Sequence, residues 1–258
     1  MKTDMSLEQA ARLALRCLDL TSLNDGDTAA DIDALCVRAI GAPSRGHVAA
    51  VCVWPRFVAQ ARAALPADIR VAAVANFPDG GLDLPRVLAE VDRIAQDGAQ
   101  EVDVVLPYRA LMAGRSSDVA EFLAEVRHAT RPLTLKVIIE SGELASRERI
   151  AEATRLALMA GADFVKTSTG KSKVSATPAA AATMLHEIAV SGLGNAGFKA
   201  SGGIRSVADA RGYLQLAAAE LGIDALTPQR MRFGASGLLS DIEAVLAGED
   251  SAAVSSAY

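Results

Sequence analysis

The feature that most constrains the fold is an alternation of short apolar runs with helical patterns along almost the entire chain. Most of the runs begin roughly 30 residues apart, the length of one βα unit. The eight runs are CLDLT (17–21), VAAVCVW (48–54), VAAVAN (71–76), EVDVVL (101–106), TLKVIIE (134–140), DFVKTST (163–169), GFKASG (197–202) and RFGAS (232–236). Strands that are apolar along most of their length are covered on both faces, and strands that alternate with helices form a parallel sheet. The pattern therefore predicts an α/β protein built on a parallel sheet.

The number of units favours a closed sheet. Eight βα units in 258 residues predict a (β/α)8 TIM barrel, with one domain over residues 1–258. The alternative is a doubly wound open sheet, which usually carries a glycine-rich first βα turn, whereas the first turn here reads LTSLNDGDT (20–28). An N-terminal helix is expected before the first strand. The small, polar C-terminal segment 246–258 is predicted to be a mobile tail.

Composition and charge disfavour several classes of function. The net charge of −5 and the pI near 5.3 argue against a nucleic-acid partner. No apolar run approaches the ~18 residues of a membrane-spanning helix, so no membrane partner is expected. Cys17, Cys36 and Cys52 are odd in number and widely spaced, which fits a reducing cytoplasm better than a disulfide framework. The three histidines are isolated as well, so we expect no metal site and a cytoplasmic location.

Charged side chains interrupt four consecutive strands. They are Asp103, Lys136, Lys166 and Lys199, in the fourth to seventh runs. A lone buried lysine costs several kcal/mol unless it is paired or loses its proton. Each of these charges could instead face the helix layer or belong to a structural ion pair. However, consecutive strands of a barrel are neighbours, so four such residues together predict a functional cluster.

The composition of this cluster indicates a chemistry. Burial and neighbouring cations both disfavour the ammonium form, so one of the lysines is expected to lose its proton near neutral pH. A neutral amine forms an imine with an aldehyde or ketone, and a protonated imine accepts the electrons of an adjacent breaking carbon–carbon bond. Asp103 would then carry protons to and from the substrate. The residues alone do not say which lysine is the nucleophile.

The turns after the last strands predict a phosphate site. SGGIR (201–205) follows the seventh strand, and GASG (234–237) follows the eighth and precedes a helical pattern. Glycines let backbone N–H groups approach an anion, and such barrels hold phosphate in these two loops. Arg205 is a further candidate for positive charge; the alternative is that these glycines only form turns. The predicted binding residues are Gly170, Lys171, Gly202, Gly203, Gly234 and Ser236.

The segment TSTGKS (167–172) also resembles the end of a nucleotide-binding Walker A loop. That motif needs a glycine five residues before its Gly-Lys pair, and the position is occupied by Val165. The missing glycine disfavours nucleotide hydrolysis.

Seven segments in order resemble the class I, Schiff-base 2-deoxyribose-5-phosphate aldolases, from about residue 15 to 240. They are LDLTSLND, VCVWPRF, EVDVVLPYRALMAG, LKVIIESGEL, GADFVKTSTGK, FKASGGIR and RFGAS. The resemblance implies reversible cleavage of 2-deoxy-D-ribose 5-phosphate to acetaldehyde and D-glyceraldehyde 3-phosphate, with no metal or organic cofactor. It also implies a small phosphorylated aldehyde or sugar as the partner. The sequence leaves the oligomeric state open, with a homodimer as one candidate.

The resemblance assigns roles that the residues alone leave open. It implies that Lys166 forms the Schiff base, that Lys199 assists it, and that Asp103 is the proton donor and acceptor. Some relatives end in a tyrosine that is implicated in moving the enamine proton, which makes Tyr258 a candidate proton relay. Gly237 replaces a serine found in many relatives, so one hydroxyl near the phosphate is lost while the backbone N–H remains.

Two other functions are compatible with parts of this pattern. One is a different Schiff-base barrel, such as a transaldolase-like or ketose-bisphosphate aldolase, which would release a different product. The other is a non-catalytic sugar-phosphate sensor, which would tolerate the loss of Lys166. The presence of every group that the aldolase reaction needs favours the enzyme.

Overall fold

Eight parallel strands form a closed barrel in the computed structural model, which describes residues 5–252. The strands pair in chain order, and β8 pairs with β1 to close the barrel. Each of the eight predicted runs contains one strand, so the predicted (β/α)8 barrel is confirmed. The strands are β1 Leu18–Thr21, β2 Ala50–Val53, β3 Arg70–Ala75, β4 Glu101–Val105, β5 Thr134–Ile138, β6 Phe164–Lys166, β7 Gly197–Ser201 and β8 Met231–Ala235.

Helices surround the barrel, and the predicted N-terminal helix precedes β1. The helices are α1 Leu7–Arg16, α2 Ala29–Ile40, α3 Val58–Ala64, α4 Leu84–Gln96, α5 Tyr108–Met112, α6 Ser116–Ala129, α7 Ser141–Leu144, α8 Arg147–Met159, α9 Pro178–Val190, α10 Val207–Leu221 and α11 Leu238–Leu246. Capping residues explain several of the starts: Ser6, Thr28 and Ser206 each form a capping box with the third residue of the helix that follows. In the described part of the chain, no helix is long and apolar enough to cross a membrane.

Strand register decides which side chains point into the barrel. Asp103 is opposite Lys136, and Lys166 is opposite Lys199, which is in turn opposite Arg232. Residues directly opposite each other lie on the same side of a sheet, and residues two apart along a strand share that side. The charged residues therefore share the interior. The alternate residues, such as Val104 and Phe198, are fully buried in the core between strands and helices.

The barrel interior has two unlike faces. The charged interior face consists of Asp19, Glu101, Asp103, Lys136, Lys166, Lys199 and Arg232, from β1 and β4–β8. The apolar interior face consists of Cys52, Ala72 and Val74, from β2 and β3. Trp54 and Phe77 pack against this second face and meet edge to face, with ring centroids 5.5 Å apart.

Two strands end two or three residues before their apolar runs do. The fifth and sixth runs extend to residues 140 and 169, whereas β5 ends at Ile138 and β6 ends at Lys166. Glu140 has a left-handed backbone conformation, with φ of 52°, which interrupts β5. After Lys166, the Thr167 hydroxyl replaces a backbone group in the contact with β7. It accepts a hydrogen bond from the N–H of Ser201 and donates one to the Ser201 carbonyl oxygen.

The start of the C-terminal segment contacts the body of the barrel. α11 ends at Leu246, and Ser251 and Ala252 hydrogen-bond the Asp241 carboxylate over 2.7 Å each. The same carboxylate accepts the backbone N–H of Val207, the first residue of α10. The rest of the predicted tail, including Tyr258, lies outside the described residues.

Candidate active site

The four strand charges singled out by the sequence meet around one carboxylate. Lys166 Nζ lies 2.7 Å from Asp103 Oδ2, and Lys199 Nζ lies 2.8 Å from the same oxygen. Lys136 Nζ lies 2.9 Å from Asp103 Oδ1. All four side chains are buried, with Lys166 exposing 2% of its surface. They therefore form one cluster inside the barrel, and none faces the helix layer.

Three further charged residues complete the cluster, and the sequence reasoning missed them. Arg232 donates to both oxygens of Glu101, over 2.9 and 3.1 Å, and to Asp19 over 2.6 Å. Asp19 also pairs with Lys199, and Glu101 lies 2.5 Å from Lys136. The signal was present, because each of these residues is a charge within a predicted strand. Glu101 in particular is two residues from Asp103 and so shares its face.

The added carboxylates bear on the expectation that one lysine of the cluster loses its proton near neutral pH, because they keep Lys199 and Lys136 charged. Burial alone would lower the pKa of Lys199, but the Asp103 and Asp19 carboxylates outweigh it and raise that pKa above its ordinary value. The pKa of Lys136 is raised in the same way by Asp103, Asp19 and Glu101. Both lysines are therefore ammonium groups at neutral pH.

The carboxylates respond in the opposite direction. Burial would raise the pKa of Asp103, but Lys136, Lys166 and Lys199 hold it well below its usual range. The pKa of Asp19 is also lowered, because the cations around it outweigh its burial. Asp103 is therefore ionised at neutral pH and can accept a proton.

The three lysines differ in how strongly they are held. Within residues 5–252, Lys136 pairs with Asp19, Glu101 and Asp103, whereas Lys199 pairs with Asp19 and Asp103. Among the residues that the structure describes, Lys166 pairs with Asp103 alone. Since Lys166 has the fewest carboxylate partners of the three, its Nζ is the one best placed to react with a substrate.

A groove of about 780 Å³ opens beside the carboxyl ends of β6 and β7. Its lining includes Gly170, Gly202, Gly203 and Arg205, which the sequence proposed for phosphate binding, and also Lys173, which it did not. The three glycines have φ between 79° and 87°, a conformation that side-chain-bearing residues rarely adopt. Glycine is therefore required here for the backbone shape.

The other proposed phosphate residues have different settings. Gly234 is within β8, where an added Cβ would lie 2.6 Å from Ser201 Oγ and 3.1 Å from Lys199 Cε, so glycine makes room for the lysine side chain. Ser236 lies just before Gly237, the N-cap of α11. Lys171 Nζ is 3.9 Å from Asp25 Oδ1 in the β1–α2 loop. Phosphate contacts of these residues remain a prediction.

No group of three or more histidine, cysteine, aspartate or glutamate residues could hold a metal ion in the segment 5–252. Asp19, Glu101 and Asp103 each accept hydrogen bonds from lysine or arginine side chains instead.

Comparisons with known proteins identify the family of this chain. The sequence matches the family described as DeoC/LacD family aldolase over residues 13–241. A deoxyribose-phosphate aldolase of Agrobacterium fabrum (strain C58 / ATCC 33970) is 49% identical over 253 residues, which cover 97% of this chain and 96% of that protein.

Solved structures show the same barrel. A protein of Toxoplasma gondii ME49 superposes with a TM-score of 0.83 at 27% identity, covering 94% of this chain and 96% of its own. A tetrameric deoxyribose phosphate aldolase from Aeropyrum pernix shares the fold, with a TM-score of 0.72 at 23% identity over 93% of each chain. The family match over residues 13–241 and the 49% identity together show that this chain belongs to the DeoC/LacD family of aldolases.

Proposed function

We propose that this protein reversibly cleaves 2-deoxy-D-ribose 5-phosphate to acetaldehyde and D-glyceraldehyde 3-phosphate through a Schiff base on Lys166. The observation that carries the proposal is the Asp103 carboxylate, one oxygen of which touches both Lys166 and Lys199 inside a closed barrel. The 49% identical deoxyribose-phosphate aldolase supports the same substrate.

Lys166 is the nucleophile of the first step. Its Nζ attacks the aldehyde carbon of the open-chain sugar, and the carbonyl oxygen leaves as water with the two protons of the amine. One further proton, taken up from water, leaves the imine protonated. The positive imine nitrogen then takes the place of the ammonium group beside Asp103. The ion pair seen in the structure is thereby kept through the covalent step.

Asp103 serves the bond cleavage as a base. It accepts the proton of the C3 hydroxyl, directly or through a water, while the C2–C3 bond breaks and its electron pair moves toward the imine nitrogen. D-Glyceraldehyde 3-phosphate leaves, and the enamine that remains takes a proton at C2. Water then releases acetaldehyde and restores Lys166.

Lys199 acts on Lys166 through charge. Its raised pKa keeps it positive at neutral pH, and it shares Asp103 Oδ2 with Lys166. A positive charge disfavours a second positive charge beside it, and this is the electrostatic role that we assign to Lys199.

The phosphate of the substrate is assigned to the groove lined by Gly170, Gly202, Gly203 and Arg205. We expect Gly203→Val to raise KM far more for 2-deoxyribose 5-phosphate than for 2-deoxyribose, since a side chain there blocks approach to the backbone. Equal losses for both substrates would mean that the glycine only shapes the turn.

Tyr258 is proposed as the proton donor to the enamine. Residue 252 is tied to Asp241, which also binds the start of α10, and α10 borders the phosphate groove. Six residues follow, and an extended chain of that length spans up to ~20 Å. In Tyr258→Phe we expect slower exchange of acetaldehyde methyl protons with deuterated water and unchanged imine trapping. Exchange at the parent rate would remove Tyr258 from the site.

A cytoplasmic homodimer that needs no metal completes the proposal. The Aeropyrum pernix relative is a tetramer, and light scattering would measure the assembly of this chain. Full activity in EDTA would support the metal-free mechanism, whereas activity lost to EDTA and restored by zinc would contradict it.

The decisive experiment is borohydride reduction in the presence of acetaldehyde, followed by peptide mass mapping. We expect a reduced adduct on Lys166. Labelling of Lys199 or Lys136 with Lys166 bare would overturn the assignment. Product analysis adds a second check, because dihydroxyacetone phosphate in place of acetaldehyde would indicate a different Schiff-base aldolase.

A further inference from the structure

Glu140 is a buried carboxylate that none of the chemical steps above uses. It exposes 2% of its surface and follows β5, one strand from Lys166. Its left-handed backbone conformation, with φ of 52°, is uncommon for a residue with a side chain. A buried acid in a strained conformation invites a functional explanation.

The strain arises because Glu140 is an extra residue in the pairing of β5 with β6. The N–H of Ile139 donates to the Lys166 carbonyl oxygen over 3.0 Å, and the N–H of Ser141 donates to that of Thr167 over 2.8 Å. In a regular parallel ladder, successive bonds of this kind are two residues apart on both strands. Here the donors on the β5 side are two residues apart, whereas the acceptors on the β6 side are only one residue apart. Glu140 is therefore bulged out, and bulges beside active sites redirect side chains.

The bulge directs the Glu140 carboxylate onto the loop after β6. The N–H of Thr169 donates to its two oxygens, over 3.2 and 3.4 Å. The Ser172 hydroxyl lies 3.0 Å from Oε1 and 2.8 Å from the carbonyl oxygen of Val174. One carboxylate thus ties down two points of the segment 169–175, which we call the β6 loop.

A second attachment lies two residues beyond Glu140. A Cβ on Gly142 would lie 2.0 Å from the Val174 carbonyl oxygen, so the backbone of α7 packs directly on the β6 loop. On its other side this loop meets the turn after β7, where a Cβ on Gly202 would lie 2.5 Å from Ser175. The β6 loop is therefore held between the bulge and one wall of the phosphate groove.

We propose that Glu140 is a positioning residue that fixes the β6 loop in the shape needed to bind the substrate phosphate. This inference rests on the proposed function. The loop contributes Gly170 and Lys173 to the groove, so its displacement should weaken phosphate binding. Lys166 should be spared, because Thr167 is separately bonded to Ser201 and Lys166 is held by Asp103.

The test compares two substrates in two variants of Glu140. In Glu140→Ala we expect KM for 2-deoxyribose 5-phosphate to rise about tenfold, as expected when one or two buried hydrogen bonds are lost. The kcat/KM for 2-deoxyribose and the borohydride trapping of acetaldehyde on Lys166 should change less than about twofold by the same reasoning. Glu140→Gln keeps an acceptor for Thr169 and should recover most of the phosphate-dependent KM.

Gly142→Ala moves the same loop without changing Glu140. Its methyl group would displace Val174, and we expect the same selective rise in KM. If Glu140→Ala does not fold, this variant still tests whether the position of the β6 loop controls KM for the phosphorylated sugar. Equal losses for both substrates in the folded variants, or no loss in either, would overturn the role of Glu140. Failure of the parent protein to cleave 2-deoxyribose 5-phosphate would instead overturn the proposed function.

Discussion

The charged and the apolar interior faces of the barrel are built from equivalent strand positions but follow opposite rules. On the apolar face, Cys52, Ala72 and Val74 need only neighbours of the right shape. On the charged face, each side chain depends on particular partners, as Asp103 depends on three lysines. We therefore expect a substitution on the charged face to affect the residues that it pairs with, whereas a substitution on the apolar face should affect only its immediate neighbours.

The two faces also divide the work of the site. Four cations and three carboxylates leave one positive charge in excess on the charged face. In the proposed mechanism, that face supplies a nucleophile, a base and a fixed cation. The apolar face excludes water beside them; burial there raises the pKa of the Cys52 thiol. Electrostatic interactions act more strongly in such a water-poor site.

The largest expected effect is at the nucleophile. Lys166→Arg keeps a positive charge beside Asp103 but cannot form the imine, so turnover should fall at least ~10³-fold. Steady-state kinetics would measure the loss, and a thermal unfolding midpoint near that of the parent would show that the charged face is intact. A variant that keeps more than a tenth of the parent turnover would contradict the role of Lys166.

The next effect is at the shared carboxylate. Asp103→Asn should slow turnover by about 10²-fold, because the proton acceptor is lost while imine formation is a separate step. Trapping with borohydride should therefore remain detectable. Removing one partner of a buried ion pair also costs about 3–5 kcal/mol of unfolding free energy. Retention of most activity and stability would show that the charged face is not a connected network.

A smaller effect is expected from Lys199→Leu. Because the raised pKa of Lys199 keeps it positive, its removal deletes a positive charge beside Lys166 and leaves Asp103 and Asp19 less compensated. With that positive charge lost, the acid limb of the pH–rate profile should move to higher pH. A limb at the parent position would exclude the electrostatic role, and Lys199→Arg, which keeps the charge, is the matched control.

The smallest effect on catalysis should come from the apolar face. Val74→Ala removes two buried methyl groups and should lower the free energy of unfolding by about 2 kcal/mol. Val74 is directly opposite Asp103 in the sheet, but its side chain carries no charge. We expect the loss of its packing to stay local, so turnover should remain within about threefold of the parent. Denaturant unfolding and kinetics on one preparation would measure both. A turnover loss as large as that of Asp103→Asn would contradict the expectation that substitutions on the apolar face leave catalysis unchanged.

Sequence reasoning reached the four residues around which the site is built, and it stopped short of their partners. A charge in an apolar strand is visible in the sequence, which is why Asp103 and Lys166 stood out. Asp19 and Arg232 carry the same signal, but they lie near the two ends of the chain, where only closure of the barrel between β1 and β8 brings them to the cluster. Without them, the sequence does not show which lysines stay charged, since Asp19 is one of the carboxylates that raise the pKa of Lys199.

Glu140 shows the same limit at a smaller scale. Its run, TLKVIIE, is a continuous apolar strand ending in an acid, and nothing in it predicts a bulge. The bulge arises because β5 and β6 go out of register by one residue. Register depends on both strands together and cannot be read from one strand's sequence.

Patterns within each segment sufficed for the barrel, because strand and helix periodicity, capping residues and turn glycines act over a few neighbouring residues. The same patterns placed an amine and a carboxylate on adjacent strands. The protonation states, the partner of each charge and the shape of the phosphate groove arose only when distant segments met. Electrostatic interactions depend on distances through space and on burial, and both are set by the closed barrel rather than by order along the chain.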